Sequence, residues 1–219
     1  MRVTSHITVV GGSGLSHPDD AAVYLVASRG EAALIDAGCG LGTGKILANC
    51  RAAGVDPHWV RYLVLTHCHY DHTGGAAAIR AHTGCDIVAH ELDACFLEAG
   101  DSQTTAASWY GARTEPLSVD IKVSGKEQRF RVGDLELTLL HTPGHSPGSA
   151  VVTVVSDGKL VVFGQDVHGP LHQALRSCRA DYEQSLKRLL ALQADVLCEG
   201  HYGVIVGKER VRDFIEEYV

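Results

Sequence analysis

The stretch Thr66-His67-Cys68-His69-Tyr70-Asp71-His72-Thr73-Gly74-Gly75 constrains this chain more than any other. It packs three histidines and a carboxylate into one short turn. Just upstream, Arg61-Tyr62-Leu63-Val64-Leu65 reads as a short buried strand. Just downstream, Gly74-Gly75-Ala76-Ala77-Ala78-Ile79 reads as the tightly packed start of a helix. The polar cluster therefore falls at the carboxyl end of a strand, where α/β folds place their chemistry. His67 and His69 are two residues apart, so an extended backbone points both rings to one side. Two neutral imidazoles on one side can grip a divalent metal. Asp71 and His72 follow as the chain turns and can face a second point nearby. Cys68 and Tyr70 alternate to the opposite side. The bland competitor is a histidine-rich surface loop, and the density of ligating groups in a single turn argues against it.

The rest of the chain reads as alternating strands and helices. Ile7–Val10, Ala22–Ala27 and Glu31–Asp36 read as strands, the last two as a hairpin through Ser28-Arg29-Gly30. The glycine-rich loop Gly11-Gly12-Ser13-Gly14 lacks the G-K-[ST] ending of a phosphate cradle. Helices are expected near 45–53, closed by Gly54, and near 76–83, closed by Gly84. A strand follows at 86–90. The run from 91 to 111 is helical in pattern but weakly apolar, and reads as a helical insertion. Its Trp109 and Tyr110 have two readings: a lid over the site, or aromatic anchors to the core. Further hairpins are expected at Gly133-Asp134 and Ser156-Asp157-Gly158. Helices near 182–192 and 209–218 flank a strand at 195–198. Three later segments carry further ligating groups: His145 in a loop stiffened by two prolines, Asp166 after a strand, and His201 in the turn Glu199-Gly200-His201.

A chain of 219 residues can bury a full core as one domain, and no linker or repeat divides it. A net charge of −7 with no basic run argues against nucleic-acid binding. No apolar run is long enough to span a bilayer. The first residues lack a continuous apolar signal core, and seven cysteines without a C-x-x-C pair fit reduced thiols, so a cytoplasmic location is expected. Cys68 and Cys198 lie close in sequence to candidate ligands, but isolated cysteines are more often small core residues.

Taken in order, the H-x-H-x-D-H stretch, Thr142-Pro143-Gly144-His145-Ser146-Pro147-Gly148, Asp166 and Glu199-Gly200-His201 resemble the metallo-β-lactamase superfamily of hydrolases. Asp36-Ala37-Gly38 looks like its early structural turn. The resemblance implies an α/β fold, a four-layer αββα sandwich with the site at one edge of two packed sheets. It implies that His67, His69 and His145 hold one metal, that Asp71, His72 and His201 hold a second, and that Asp166 bridges them. Five imidazoles and two carboxylates suit two Zn²⁺, with Fe or Mn as alternatives. A bridging hydroxide then becomes available near neutral pH, and Asp71 orients it. Many relatives have a small residue before the bridging aspartate, where this chain has Gln165.

The expected activity is dinuclear hydrolysis of a small-molecule thioester or lactone. The chain looks too short for the helical substrate domain of full-length glyoxalase II enzymes, so no glutathione thioester is specified. A competing reading is a persulfide dioxygenase-like oxidoreductase with one Fe²⁺. A non-catalytic binding module would have to keep costly buried ligands without using them. Among the remaining histidines, His168 and His172 are the best candidates for substrate contact. Tyr110 and Tyr202 are candidate hydrogen-bond donors to a developing oxyanion, with packing as the alternative for both.

Overall fold

The computed structural model of the protein describes residues 1–219, apart from the side chain of Gln165. Its strands form two six-stranded sheets. The first runs in sequence order through β1 (Ile7–Gly11), β2 (Val23–Ser28), β3 (Glu31–Ile35), β4 (Val60–Val64), β5 (Asp86–His90) and β6 (Ile121–Val123). β1, β2 and β3 pair antiparallel, and β3 through β6 pair parallel. The second sheet contains β7 (Glu127–Val132), β8 (Leu135–His141), β9 (Ala150–Ser156), β10 (Lys159–Gln165), β11 (Val196–Glu199) and β12 (Gly203–Val206). Only β10 and β11 pair parallel in it; the other pairs are antiparallel.

Side-chain alternation along each strand explains the layers. On β2, Tyr24 and Val26 point between the sheets, where they join Ile35, Leu137, Val152, Val161 and Phe163. Val23 and Leu25 point the other way, onto helices. There they meet Ile46 and Cys50 of α1 (Thr43–Ala52), Ile79 of α3 (Ala76–Thr83) and Leu97 of α4 (Glu91–Ala99). On the far side, Val151, Val162 and Leu197 pack against Leu186 and Leu189 of α5 (Arg179–Leu192) and Ile215 of α6 (Lys208–Glu216). Both faces of the central strands are buried, which is why those strands read as unbroken apolar runs. The result is the expected α/β sandwich of four layers, αββα.

Phe163 is fully buried between the sheets, its ring centroid 5.4 Å from that of Tyr24. Truncating it to alanine would cost about 3–5 kcal/mol. Tyr24 in turn donates a 2.7 Å hydrogen bond to the carbonyl of Glu199, tying the core to the end of β11.

The run 91–111, expected as a helical insertion, holds two helical pieces separated by turns. α4 ends at Gly100, which is left-handed at φ 64°, and is followed by turns and a short 3-10 helix, Ala107–Tyr110. Asp101 draws the chain into these turns by accepting from the backbone of Gln103 and Thr104 and from the Thr104 hydroxyl. Two short strands, β6 and β12, add to the expected set.

Candidate metal centre

Four strand ends bring the ligating groups together. His67 and His69 follow β4, and Asp71 and His72 lie in the single turn α2 (Tyr70–Thr73). His145 lies between β8 and β9, Asp166 follows β10, and His201 follows β11. His69 Nδ1 and His145 Nε2 are 2.9 Å apart. Oδ2 of Asp166 lies 3.1 Å from His145 Nε2 and 3.8 Å from His67 Nε2. Its other oxygen, Oδ1, lies 3.1 Å from His72 Nε2 and 3.4 Å from His201 Nε2. Asp71 Oδ2 completes the second group, 3.3 Å from His201 Nε2 and 3.5 Å from His72 Nε2. Asp166 thus faces two sets of side chains with two different oxygens. All seven sequence-expected residues meet in one spot.

The donor set fits divalent metal. Nε2 of His67, His69 and His72 and Oδ1 of Asp166 are buried without hydrogen-bond partners. An orphaned buried polar atom costs about 1–3 kcal/mol, so four of them at one point call for a shared partner. The 3.1 Å approach of His72 to Asp166 has ion-pair distance without hydrogen-bond alignment. Imidazole and carboxylate together suit zinc, iron or manganese.

Electrostatics point the same way. Burial, with the neighbouring His72 and His69, pushes His67 well below its usual range, and burial pushes His69 down to about 3. Both rings are therefore held in the neutral, ligating form. Burial also opposes charge on His72 and His201, but there the carboxylates win. Asp166, Asp71 and Asp36 raise His72 well above its usual value, and Asp166 and Asp71 push His201 up to about 9. Burial works against the Asp166 carboxylate as well, and the charge of His72 outweighs it, holding its pKa well below the usual range. The two carboxylates draw positive charge to this point, as protons or as metal.

A surrounding set of hydrogen bonds aims the rings. Asp36, fully buried at the end of β3, accepts from Nδ1 of His72 at 2.6 Å and from the backbone and hydroxyl of Thr66 at 2.8 and 2.9 Å. Thr66 Oγ1 is also 3.0 Å from His67 Nδ1. His145 Nδ1 donates to the carbonyl of Pro170 at 2.9 Å. Each of these contacts fixes a tautomer and leaves the other nitrogen for the centre. Glu199 accepts from the backbone N–H groups of His201 and Tyr202 at 2.7 and 2.9 Å and so shapes the His201 turn. Gly144 has φ 133°, and a Cβ there would meet the backbone of Tyr182 at 2.2 Å. Only glycine lets the His145 loop lie this close to α5.

One buried carboxylate was not apparent from sequence. Asp93 of α4 touches both the His67–His69 turn and the His145 loop. An acidic residue in the first turn of a helix is ordinary, so nothing in the sequence distinguishes it.

A cavity of about 180 Å³ opens onto the centre, lined by His69, Asp71, Ala106, Trp109, Tyr110, His145, Asp166, His168, Pro170, Leu175 and His201. No lysine or arginine lines it among the described residues. Tyr110 and His168 thus border the cavity. His168 Nδ1 pairs with Glu199 at 2.7 Å. His172 caps a 3-10 turn and meets Trp109 edge-on, with centroids 5.3 Å apart. Tyr202 is exposed and packs on His168 and Phe214. His90 and His141 stack on each other at 3.8 Å, away from the lining. Cys68 packs with the helices and Cys198 between the sheets. The side chain of Gln165 lies outside the described residues. A separate trio, His17, Asp20 and Cys39, is satisfied internally. Asp20 accepts from the Cys39 backbone at 2.8 Å and from the Ser16 hydroxyl, and burial pushes the Cys39 thiol up to about 12.

Comparison with known proteins agrees with this architecture. Residues 18–201 match the Metallo-beta-lactamase superfamily. A hydroxyacylglutathione hydrolase of Anaeromyxobacter dehalogenans is 34% identical over 129 residues, covering 59% of this chain and 40% of that protein. An uncharacterized protein of Aquifex aeolicus is 32% identical over 194 residues, covering 83% of each chain. The crystal structure of BJP-1, a subclass B3 metallo-beta-lactamase of Bradyrhizobium japonicum, superposes with a TM-score of 0.81 at 26% identity, covering all of this chain and 89% of that one. The chain spans only 40% to 46% of the length of three curated relatives, the Anaeromyxobacter hydrolase among them. With residues 18–201 matching the family and the whole chain superposing on the fold of one of its members, the chain belongs to the metallo-β-lactamase superfamily.

Proposed function

We propose that the protein is a dinuclear metal-dependent hydrolase that cleaves a small thioester or lactone. One observation carries the reading: Asp166 faces both ligand groups at once, among buried nitrogens that have no other partner. His67, His69 and His145 would hold one cation, Asp71, His72 and His201 the other, and Asp166 both. Zinc suits this mixed imidazole and carboxylate set best, with iron or manganese as alternatives. Such cations supply Lewis acidity and bring the pKa of water toward neutrality.

The chain's own residues do the rest. Asp71 lines the cavity, and its carboxylate would orient the attacking oxygen by accepting a hydrogen bond from it. Asp36, Thr66 and Pro170 hold the ring tautomers, so little reorganisation accompanies reaction. Tyr110 also lines this cavity, and its hydroxyl would serve as a donor to an oxyanion developing on the substrate. Ala106, Trp109, Pro170 and Leu175 give the wall an apolar side. A lining without lysine or arginine among the described residues favours an uncharged acyl group over a polyanionic one. The free cysteines, most of them buried, fit a reducing compartment such as the cytoplasm.

The test is elemental analysis of the purified protein beside a panel of thioesters, lactones and persulfides. Two metals per chain with thioester or lactone hydrolysis is expected. One iron per chain with oxygen uptake on a persulfide would overturn the reading.

A further inference from the structure

We propose that Asp93 is a positioning residue: it clamps together the two segments that carry His67, His69 and His145, and so sets the first metal's three imidazoles. The inference rests on the metal-hydrolase reading above.

Asp93 is 1% exposed in the first turn of α4. Oδ2 accepts from the backbone N–H of Cys68 at 2.8 Å, and Cys68 sits between His67 and His69. The same oxygen accepts from the Ser146 hydroxyl at 2.6 Å, and Oδ1 accepts from the backbone N–H of Gly148 at 2.6 Å. Ser146 directly follows His145. Both carboxylate oxygens are therefore spent on the two ligand-bearing segments, which lie far apart in sequence. The fit is close: a Cβ on Gly148 would stand 2.5 Å from the Asp93 backbone nitrogen. Ser149 closes the loop, its hydroxyl 2.9 Å from the Ser146 backbone nitrogen and 2.7 Å from the Ser146 hydroxyl.

The chemistry requires a carboxylate. All three partners are donors, and an ionised carboxyl is acceptor-only. Asparagine has the same shape but turns an NH₂ group toward one of them. A core acid of purely structural use needs no such division between two ligand loops. Asp93 touches neither the cavity nor the orphaned nitrogens, so it acts through the ligands rather than on substrate.

The experiment is stepwise zinc titration against a competing chelator, with the melting temperature of metal-free and loaded protein measured in parallel. Wild type, Asp93→Asn and Ser146→Ala are compared. Asp93→Asn is expected to weaken one of two binding steps by about 10–100-fold, the range for residues supporting metal ligands. The other step should hold within about threefold, and the melting-temperature gain on loading should shrink. Ser146→Ala, which removes one donor and keeps the acid, should weaken the same step by a smaller factor. Unchanged steps, or equal weakening of both with an equal fall in metal-free melting temperature, would mean a structural role only and overturn the proposal. If Asp93→Asn does not fold, Ser146→Ala decides by the same criterion. Failure of wild type to bind metal at all would instead sink the hydrolase reading.

Discussion

Asp36 accepts a 2.6 Å hydrogen bond from Nδ1 of His72, and both side chains are fully buried. Asp36 makes this contact from a left-handed backbone, φ 62°, which costs a non-glycine residue energy. The strained turn carries the chain from β3 into the site and aims the carboxylate at His72 and Thr66 together. His72 Nε2 is left bare toward Asp166.

Removing that carboxylate should therefore be felt at the metal. Asp36→Ala is expected to weaken metal binding by about 10–100-fold through loss of the His72 tautomer. Asp36→Asn tolerates the left-handed backbone and keeps one acceptor, so it should lose less. Chelator competition on both variants checks this. Equal affinity in Asp36→Ala and wild type would show that His72 is aimed by packing alone.

The pH dependence of metal binding follows from His201. Burial opposes its charge, but Asp166 and Asp71 push its pKa up to about 9. Its folded pKa is thus raised, so in the metal-free protein its stabilising charge is fully present below the ordinary histidine value of about 6.5 and fades as pH rises through about 9. Metal must displace that proton. His72, also raised well above its usual value, gives up a proton as well, so apparent affinity should climb between neutrality and pH 9 with His201 alone contributing about tenfold per pH unit, a contribution that ends near pH 9. His201→Ala should bind more weakly but with a shallower slope. Zinc titrations across that range decide the matter, and a slope unchanged in His201→Ala would refute the assignment.

Much of the site was legible because its ligands cluster in sequence and stand at strand ends. His67, His69, Asp71 and His72 announce themselves by density, and His145 by the two prolines that stiffen its loop. What stayed hidden depends on tertiary distance. Asp93 looks like any helix-starting acid until α4 is docked against two loops. β6 is three residues long and β12 four, too short to show an alternating pattern. The break after Ala99 needed Gly100 in the left-handed region and the Asp101 turn, which compete with the helical tendency of the residues around them.

The two ligand groups should be functionally inseparable if Asp166 serves both. Asp166→Ala is expected to remove charge and bridging together, and His72→Ala to dismantle the second group. Each should lower kcat/KM by about a thousandfold or more, the equivalent of several kcal/mol of transition-state stabilisation. Turnover by metal-checked variants is the measurement. Wild-type rates in either variant would separate the cluster from catalysis.

Trp109 governs the last expectation. It is half exposed at the cavity mouth, edge-on to His172, with Ala106 and Leu175 also on the wall. An acyl chain entering here would bury apolar surface on the indole, and one or two covered methylenes are worth about 1–2 kcal/mol. Trp109→Ala should therefore raise KM for long-chain acyl substrates by about tenfold. If the indole serves only to cover the acyl chain, kcat should stay within about twofold, the pattern of lost uniform binding. Short acetyl substrates, with no chain for the indole to cover, should be unaffected. Steady-state kinetics on a chain-length series checks this. A fall in kcat with KM unchanged would instead mean that Trp109 organises the reacting groups, and equal effects on short and long acyl chains would mean that the apolar wall does not select the substrate.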